Sequence, residues 1–355
     1  MLMKTFNKLY LIFILCILFS THLCIAQTWQ WAKKIYDPWL PYPNNISVDN
    51  CGNSYVIGEF WGTTVFGLDT FSSVGSIDIF LAKYDPHGKI VWLKQAAGWN
   101  WNEGVGITLD QEGNIYITGY FEGTVIFESD TLISAGNADV FLAKYDTDGN
   151  MLWVKQAGGS NWDEGMGIAT DLLGNTIITG SFSDTIIFDN SDTLISNGNL
   201  DGFVAKYDST GNLLWVKQIG GQYNVEAIGI DVDNDLNIFV TGNFGDSLTF
   251  NDSLLIPGNG PIFIAKYNAS GSIIWAKRGN GGLAEVYGIS TDTYDNIYIT
   301  GYFETTISFD SFVFFPTSGT SDIFLVKYDT SGNVVWAKKE GWTYWETAYG
   351  ISTDD

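Results

Sequence analysis

The sequence is dominated by a segment that recurs about every 61 residues. It reads KYDTDGNMLWVKQAGG from Lys144, and related copies begin at Lys83, Lys206, Lys266 and Lys327. One tryptophan per copy, together with one in a partial N-terminal copy, marks positions separated by 61, 61, 62, 60 and 61 residues: Trp31, Trp92, Trp153, Trp215, Trp275 and Trp336. A fixed period of this length predicts a chain built from stacked copies of one supersecondary unit.

Each copy contains four short runs rich in β-branched and aromatic residues. In one complete copy they are VGITLD from Val105, NIYITGYF from Asn114, DVFLAKYD from Asp139 and NMLWVKQ from Asn150. The pieces TVIF and TLIS lie between the second and third runs and predict a small hairpin. Turns too short to hold a crossover helix make the four runs an antiparallel meander, which is the blade of a β-propeller when it is repeated radially.

We therefore predict an all-β propeller of four-stranded antiparallel blades. Five complete blades and a partial strand are expected within the segment 46–355, at 46–95, 107–156, 168–218, 229–278, 289–339 and 350–355. The chain begins with the fourth strand of a unit and ends partway into a first strand. This arrangement predicts an incomplete wheel and a sequence that is a fragment of a longer protein.

The first 45 residues differ from the repeats. Residues 1–26 combine Lys4 and Lys8 with the apolar run Leu9–Phe19 and the small residues before Gln27, which predicts a cleaved signal peptide. The apolar run is shorter than the ~20 residues that a membrane-spanning helix needs, so we expect no membrane insertion after cleavage. Residues 27–45 hold a lone fourth strand and a proline-rich connector. A secreted or cell-surface location is expected.

Composition excludes several classes of function. The formal charge is −23, and a surface of this sign repels nucleic acid phosphates. Cleavage of the signal peptide would leave Cys51 as the last cysteine, so no internal disulfide is expected. It would also leave His87, in a turn, as the last histidine, which argues against histidine triads and histidine-rich metal sites. No recognisable catalytic set remains, and no enzyme activity or cofactor is predicted.

The repeats resemble the SBBP-type β-propeller repeat of exported bacterial proteins. The resemblance rests on NIYITGYF, DVFLAKYD and DGNMLWVK and their recurrence over nearly everything after residue 45. It implies secretion or surface display, often beside adhesion modules, and it brings no catalytic residues with it.

The recurring Asp–Gly turn before each tryptophan allows two interpretations. Asp146-Thr-Asp148-Gly149-Asn150 resembles the start of a calcium loop, and the other acidic cluster is Asp231-Val-Asp233-Asn-Asp235. The other copies of the turn lack the second carboxylate but keep Asp or Asn three residues before Gly, as a hairpin turn requires. We favour the turn over calcium and predict no metal site.

The lysines of the third strand also recur, at Lys83, Lys144, Lys206, Lys266 and Lys327. Strand alternation turns them toward a packed face, where each needs a carboxylate partner. Either the aspartate that ends the first strand or a repeated glutamate can supply it.

The links between copies carry the residues that differ most. We expect them to form loops on one face, with a glutamate before each first strand and aromatic residues nearby. The candidate ligand-binding residues are Trp99, Trp101, Glu103, Trp162, Glu164, Tyr223, Glu226, Trp342, Tyr344, Trp345 and Glu346; Glu285 is the further glutamate of the series. Carboxylates beside exposed indoles are typical of sugar recognition. The alternative is that these residues wedge between blades and cap the local backbone, as we expect for the six tryptophans of the period.

These observations lead to one main functional hypothesis and one alternative. The main hypothesis is a secreted or surface-displayed binding or structural module that recognises a glycan or a cell-surface protein through its inter-blade loops. The alternative is a carbohydrate-active enzyme, which requires two carboxylates held about 5–10 Å apart on the same face.

Overall fold

A computed structural model describes residues 31–32, 41–66, 69–189, 192–250, 254–256, 260–317 and 321–354. The predicted signal peptide, most of the 27–45 segment and Asp355 lie outside the described residues, while Trp31 and Ala32 are not in a strand. The chain divides into two compact parts, Met1–Lys34 and Ile35–Asp355, and the strands below belong to the second. Among the described residues, no helix is long and apolar enough to cross a membrane.

The predicted all-β, antiparallel architecture is confirmed by the strands of the described residues. We number them along the chain and group them into repeats 1 to 5. Repeat 1 contains β1 (Tyr42–Val48), β2 (Ser54–Phe66), β3 (Asp69–Tyr84) and β4 (Ile90–Gly98). Repeat 2 contains β5 (Asn102–Leu109), β6 (Ile115–Phe127), β7 (Asp130–Tyr145) and β8 (Met151–Gly158).

Repeats 3 to 5 have two extra short strands each. Repeat 3 contains β9 (Asp163–Thr170), β10 (Thr176–Phe182), β11 (Thr185–Phe188), β12 (Asp192–Ile195), β13 (Asp201–Tyr207) and β14 (Leu213–Gly221). Repeat 4 contains β15 (Val225–Val232), β16 (Ile238–Phe244), β17 (Leu248–Phe250), β18 (Leu254–Ile256), β19 (Ile262–Tyr267) and β20 (Ile273–Gly281). Repeat 5 contains β21 (Ala284–Thr291), β22 (Ile297–Phe303), β23 (Ile307–Phe309), β24 (Phe312–Phe314), β25 (Asp322–Tyr328) and β26 (Val334–Glu340).

The small hairpin predicted between the second and third strands has a role that the sequence did not indicate. In repeat 2 it is continuous with β6 and β7, whereas in repeats 3 to 5 it is a separate pair of strands. In each case it pairs with the fourth strand of the preceding repeat, for example Ala96 with Phe127 and Ile219 with Phe250. Each sheet is thereby extended by its neighbour, so consecutive repeats are joined by backbone hydrogen bonds.

The first strands of consecutive repeats lie side by side. A glycine in β5, β9, β15 and β21 permits the close approach: a Cβ on Gly167 would lie 2.4 Å from the carbonyl oxygen of Ile228 in the next repeat. Thr170 Oγ1 donates to the carbonyl of Leu109, and Thr353 Oγ1 donates in the same way to that of Thr291. Residues 350–354 therefore lie beside β21 as β9 lies beside β5, although they are not assigned as a strand.

The tryptophans of the period contact the turn of the following repeat. Trp92 Nε1 donates to the carbonyl of Thr147 at 3.4 Å, and the equivalents donate from Trp153 to Ser209, from Trp215 to Ala269 and from Trp275 to Thr330. The turn glycine lies on the indole, since a Cβ on Gly149 would be 2.9 Å from Trp92 Cε2. Trp336 packs against Tyr298 of its own repeat, with ring centroids 6.0 Å apart.

Candidate functional site

The Asp–Gly turns use their carboxylates to hold their own backbone. Asp146 Oδ1 accepts from the amides of Asp148 and Asn150, and its Oδ2 accepts from Asn150 Nδ2. Gly149 has φ +81°, which suits glycine. In the other acidic cluster, Asp231 Oδ2 accepts from the amide and hydroxyl of Thr291. Within the described ranges, no group of three or more His, Cys, Asp or Glu side chains is placed to hold a metal ion.

Four of the five repeated lysines pair with the aspartate that ends the first strand, and Lys83 donates to the carbonyl of Thr147 instead. The separations between Nζ and the carboxylate oxygen are 3.8 Å for Lys144 and Asp110, 2.8 Å for Lys206 and Asp171, 3.5 Å for Lys266 and Asp233, and 3.5 Å for Lys327 and Asp292. Of the two partners left open by the sequence, the structure uses the aspartate. The repeated glutamates are therefore available for other contacts.

The prediction that the glutamates precede the first strands is wrong for four of them. Glu103, Glu164, Glu226 and Glu285 lie within β5, β9, β15 and β21. Each of these four strands has a bulge just after the glutamate, as between Gly104 and Gly106, and pairing with the second strand continues before the bulge. The extra residue at a bulge interrupts the alternation of side chains. The sequence pattern therefore indicated only the regular part of each first strand and placed its start too late.

The four glutamates come together at one end of the first strands. They line a cavity of about 320 Å³ whose wall also includes Tyr120, Met166, Asn243 and Tyr287. Glu103 accepts from the hydroxyl of Tyr120 at 2.5 Å, and Glu285 accepts from that of Tyr287 at 2.5 Å. Glu164 accepts from the indole N–H of Trp162. We call this group the glutamate cluster.

Burial and mutual repulsion disfavour the ionised form of several of these carboxyls. Glu59 of β2 is in hydrogen-bonding contact with Glu103 of the cluster. Burial raises the pKa of Glu59 to about 7, and the neighbouring carboxylate of Glu103 adds to the effect. Burial also raises the pKa of Glu164, as do the charges of Glu103 and Glu226. It raises the pKa of Glu226 as well, with the charge of Glu285 adding to it. The cluster therefore favours a ligand that brings positive charge or hydrogen-bond donors.

Glu346 is not a member of this series. Its amide donates to the carbonyl of Ser321, the residue before Asp322. In the earlier repeats the corresponding bridge joins Ile77 to Trp101 and Ala138 to Trp162. Trp345 therefore occupies the position of Trp101 and Trp162, and Thr347, not Glu346, stands at the glutamate position. The Trp-Glu pair had suggested an alignment shifted by one residue.

The candidate aromatic residues fall into two groups. Trp101 and Trp162 contact glutamates: Trp101 Nε1 donates to Glu59 at 3.3 Å, and Trp162 Nε1 donates to Glu164. The ring of Trp162 also lies 5.6 Å from that of Tyr120. The others are more exposed, with 74% for Trp99, 54% for Tyr223, 76% for Trp342, 78% for Tyr344 and 70% for Trp345.

A larger cavity of about 900 Å³ lies between repeats 4 and 5. Its lining includes Tyr223, Glu226, Asn243, Glu285 and Tyr302. Glu226 and Glu285 also belong to the glutamate cluster, so the two cavities share a wall. The structure thus brings together Tyr223 and Glu226, which sequence reasoning had named, with Asn243 and Tyr302, which it had not.

Sequence reasoning also missed Glu59 and a buried aspartate in the third strand. The aspartate is Asp78, Asp139 or Asp201 in repeats 1 to 3, and its Oδ2 accepts from the glutamine three residues after the tryptophan of the period, as from Gln156 at 2.6 Å. Its recurrence in IDIF, ADVF and LDGF was the available signal. The contact is internal to each sheet.

We expect the protein to unfold at a higher temperature at about pH 5.5 than at about pH 8. Burial raises the pKa values of Glu59 and Asp163 to about 7 in the folded protein. The pKa values of these carboxyls in the unfolded chain are about 4. Protonation of the two carboxyls therefore stabilises the folded state fully below about pH 4, and this stabilisation is lost as the pH rises through about 7. Thermal unfolding across this range tests the sign, and the double variant Glu59→Gln/Asp163→Asn should flatten the dependence. A melting temperature that rises with pH would contradict the assignment.

Comparison with known proteins supports the repeat. The β-propeller repeat family SBBP matches residues 214–243, which confirms the predicted resemblance. An uncharacterised WD repeat-containing protein of Acanthamoeba polyphaga mimivirus is 29% identical over 87% of this chain and 28% of its own length. The regulatory protein FlaEY of Caulobacter vibrioides is 29% identical over 30% of this chain and 12% of its own length. The chain thus spans less than a third of either relative.

Two solved structures are also similar. A protein of unknown function from Bacteroides caccae aligns over 81% of this chain and 93% of its own, with 13% identity and a TM-score of 0.34. A catalytically inactive virginiamycin B lyase from Staphylococcus aureus, solved with quinupristin, aligns over 86% of this chain and 87% of its own, with 11% identity and a TM-score of 0.43.

Proposed function

We propose that this chain is a secreted or cell-surface binding module in which each repeat is one propeller blade. Its ligand is a glycan, bound at the end of the first strands where the glutamate cluster lies. The observation that carries the proposal is the convergence of Glu103, Glu164, Glu226 and Glu285 on one cavity, while the lysines pair elsewhere.

The chemistry of this end matches what a sugar needs. Carboxylates accept from hydroxyl groups, and aromatic rings cover the apolar face of a pyranose. Trp101 is 43% exposed beside Glu59, and Trp99 is exposed nearby, so indole surface is available next to the acceptors. A signal peptide at residues 1–26 would place such a module where it meets extracellular glycans.

Replacing Trp99 and Trp101 with alanine should weaken glycan binding. Loss of one buried aromatic contact commonly costs about 2 kcal/mol, or roughly 30-fold in Kd. A glycan array followed by calorimetry on the best ligand measures this, with Trp162 and Trp345 changed in further variants. Leu214→Ala is the control, because Leu214 is exposed on β14, away from the cluster. Binding that survives all four tryptophan changes would remove this face as the binding site.

The alternative function is glycoside hydrolysis, and the raised pKa values of Glu164 and Glu226 favour it. A buried carboxyl of this kind can act as a general acid. Glu59 and Glu103 do not suit this role as a pair, because they are in hydrogen-bonding contact and glycosidases need about 5–10 Å between carboxyl groups. Release of reducing sugar that is lost in Glu164→Gln or Glu226→Gln would establish the enzyme.

A further inference from the structure

One position is filled by a ring at two junctions between repeats and by a smaller residue at others. The backbone carbonyl at this position accepts a hydrogen bond from the amide of the residue that follows the second strand or, in repeat 2, the straight part of that strand. This contact identifies the equivalent residues in repeats 2 to 5: Trp101, Trp162, Asn224 and Leu283. At the junction of repeats 2 and 3, Trp162 packs against Tyr120 and donates to Glu164. These two rings fill the space between the repeats.

The junction of repeats 4 and 5 lacks both rings. Tyr120 pairs with Glu103 across the strands, and Asn243 pairs with Glu226 at the same place, so Asn243 replaces Tyr120. Leu283 replaces Trp162, and its side chain is exposed. The space is left as the cavity of about 900 Å³, with Asn243 Oδ1 accepting from the amide of Val286.

We call the cavity between repeats 4 and 5 the slot. The side chains that fill the equivalent space between repeats 2 and 3 indicate what shape and chemistry fit there. At repeats 2 and 3 the occupant is a flat ring whose apolar face packs against the repeat and whose N–H donates to a glutamate. Glu285 stands where Glu164 stands, two residues after the variable position, and Tyr223 and Tyr302 add aromatic surface to the lining. A pyranose has the same combination of a flat apolar face and polar hydrogens.

The charge of the lining selects among sugars. Four carboxylates line the cavity, and the described lining includes neither lysine nor arginine: Glu226, Asp246, Glu285 and Glu304. Uronic acids and sulfated sugars would be repelled, whereas an ammonium group would be attracted by the carboxylates and by the tyrosine rings.

We propose that the slot between repeats 4 and 5 binds a saccharide that carries a free amino group. The sugar ring occupies the space that is equivalent to the one filled by Tyr120 and Trp162 between repeats 2 and 3. This inference rests on the proposed glycan binding and assigns it to one junction and one class of sugar. The amino group pairs with Glu285, which stands where Glu164 accepts from the N–H of Trp162, and Tyr223 covers the ring from the rim.

Calorimetry on the full chain with a glucosamine hexamer, and with its N-acetylated counterpart as the neutral match, tests the proposal. The amine probe should bind at least about tenfold more tightly, the difference expected for a charge-assisted hydrogen bond. Glu285→Gln should remove this preference. The double variant Asn243→Tyr/Leu283→Trp rebuilds the ring pair of the closed junction and should abolish binding of both probes. Glu112→Gln, which removes an exposed carboxylate in a turn at the other end of the strands, is the control for net charge.

Equal binding of the two probes, or binding that persists in both Glu285→Gln and the ring-pair variant, would overturn the assignment. If the wild type then still binds neutral glycans and loses them in the Trp99 and Trp101 variants, glycan binding stands and only this site fails. If no saccharide binds to the wild type on the array or in calorimetry, both proposals fail.

Discussion

Gly180→Ala should lower the free energy of unfolding by about 3 kcal/mol or more, at the upper end of the range for overpacking a close-packed interior. A Cβ at this position would lie 1.9 Å from the carbonyl oxygen of Glu164 and 2.7 Å from the ring of Phe203. The first contact is with backbone on the paired strand, at the bulge between Thr179 and Gly180, so no side-chain rotation can relieve it. The bulge would have to open, and it is the feature that places Glu164 in the cluster.

Urea unfolding followed by tryptophan fluorescence measures this loss. Gly350→Ala is the matched control, because a Cβ there meets nothing within 4 Å, and it should change stability by less than about 0.5 kcal/mol. In a repeat array the lost stability can appear as an early transition of one part of the chain, so the full unfolding curve should be compared. Equal stability of the two variants would show that the bulge adapts and that the glycine is not required by packing.

The recurrence of this glycine was visible in the sequence, but its cause was not. A Cβ added at any of the five glycines would lie 1.8–2.1 Å from a backbone oxygen on the paired first strand: Gly58, Gly119, Gly180, Gly242 and Gly301. The period of the repeat predicted where strands and turns lie, because β-branched runs and Asp–Gly turns are local signals. A close approach across two strands is not local, and neither is the bulge that accompanies it.

The same limit explains which parts of the candidate site could be predicted. Glu103 and Glu164 were identified as a series because they recur, yet their convergence depends on neighbouring first strands lying side by side. Glu59 belongs to the second strand of repeat 1, where the other repeats have Tyr120, Ser181, Asn243 or Tyr302, so no recurrence pointed to it. Differences between copies are informative only after the structure has shown which residues are equivalent.

The second large effect is expected from Lys206→Met. Lys206 and Asp171 form a 2.8 Å ion pair whose side chains are only 4% and 0% exposed. Burial acts to raise the pKa of Asp171, but hydrogen bonds from Lys206 and Asn175 outweigh it and hold the pKa below its ordinary value. Removing one partner of a buried pair leaves an uncompensated charge and typically costs about 3–5 kcal/mol.

Lys83→Met is the control, because this equivalent lysine of repeat 1 donates to the neutral carbonyl of Thr147 and lies over the ring of Tyr55. Loss of a contact of this kind should cost about 1 kcal/mol. Adding Asp171→Asn to Lys206→Met should recover part of the loss, since the amide brings no charge into the buried site. Equal effects of Lys206→Met and Lys83→Met would show that the pairing contributes nothing beyond packing of the lysine stem. A large difference would explain why this lysine recurs in repeats 2 to 5, where it pairs with the aspartate that ends the first strand. That aspartate holds the turn between the first and second strands, as Asp171 does by accepting from the amides of Leu173 and Asn175.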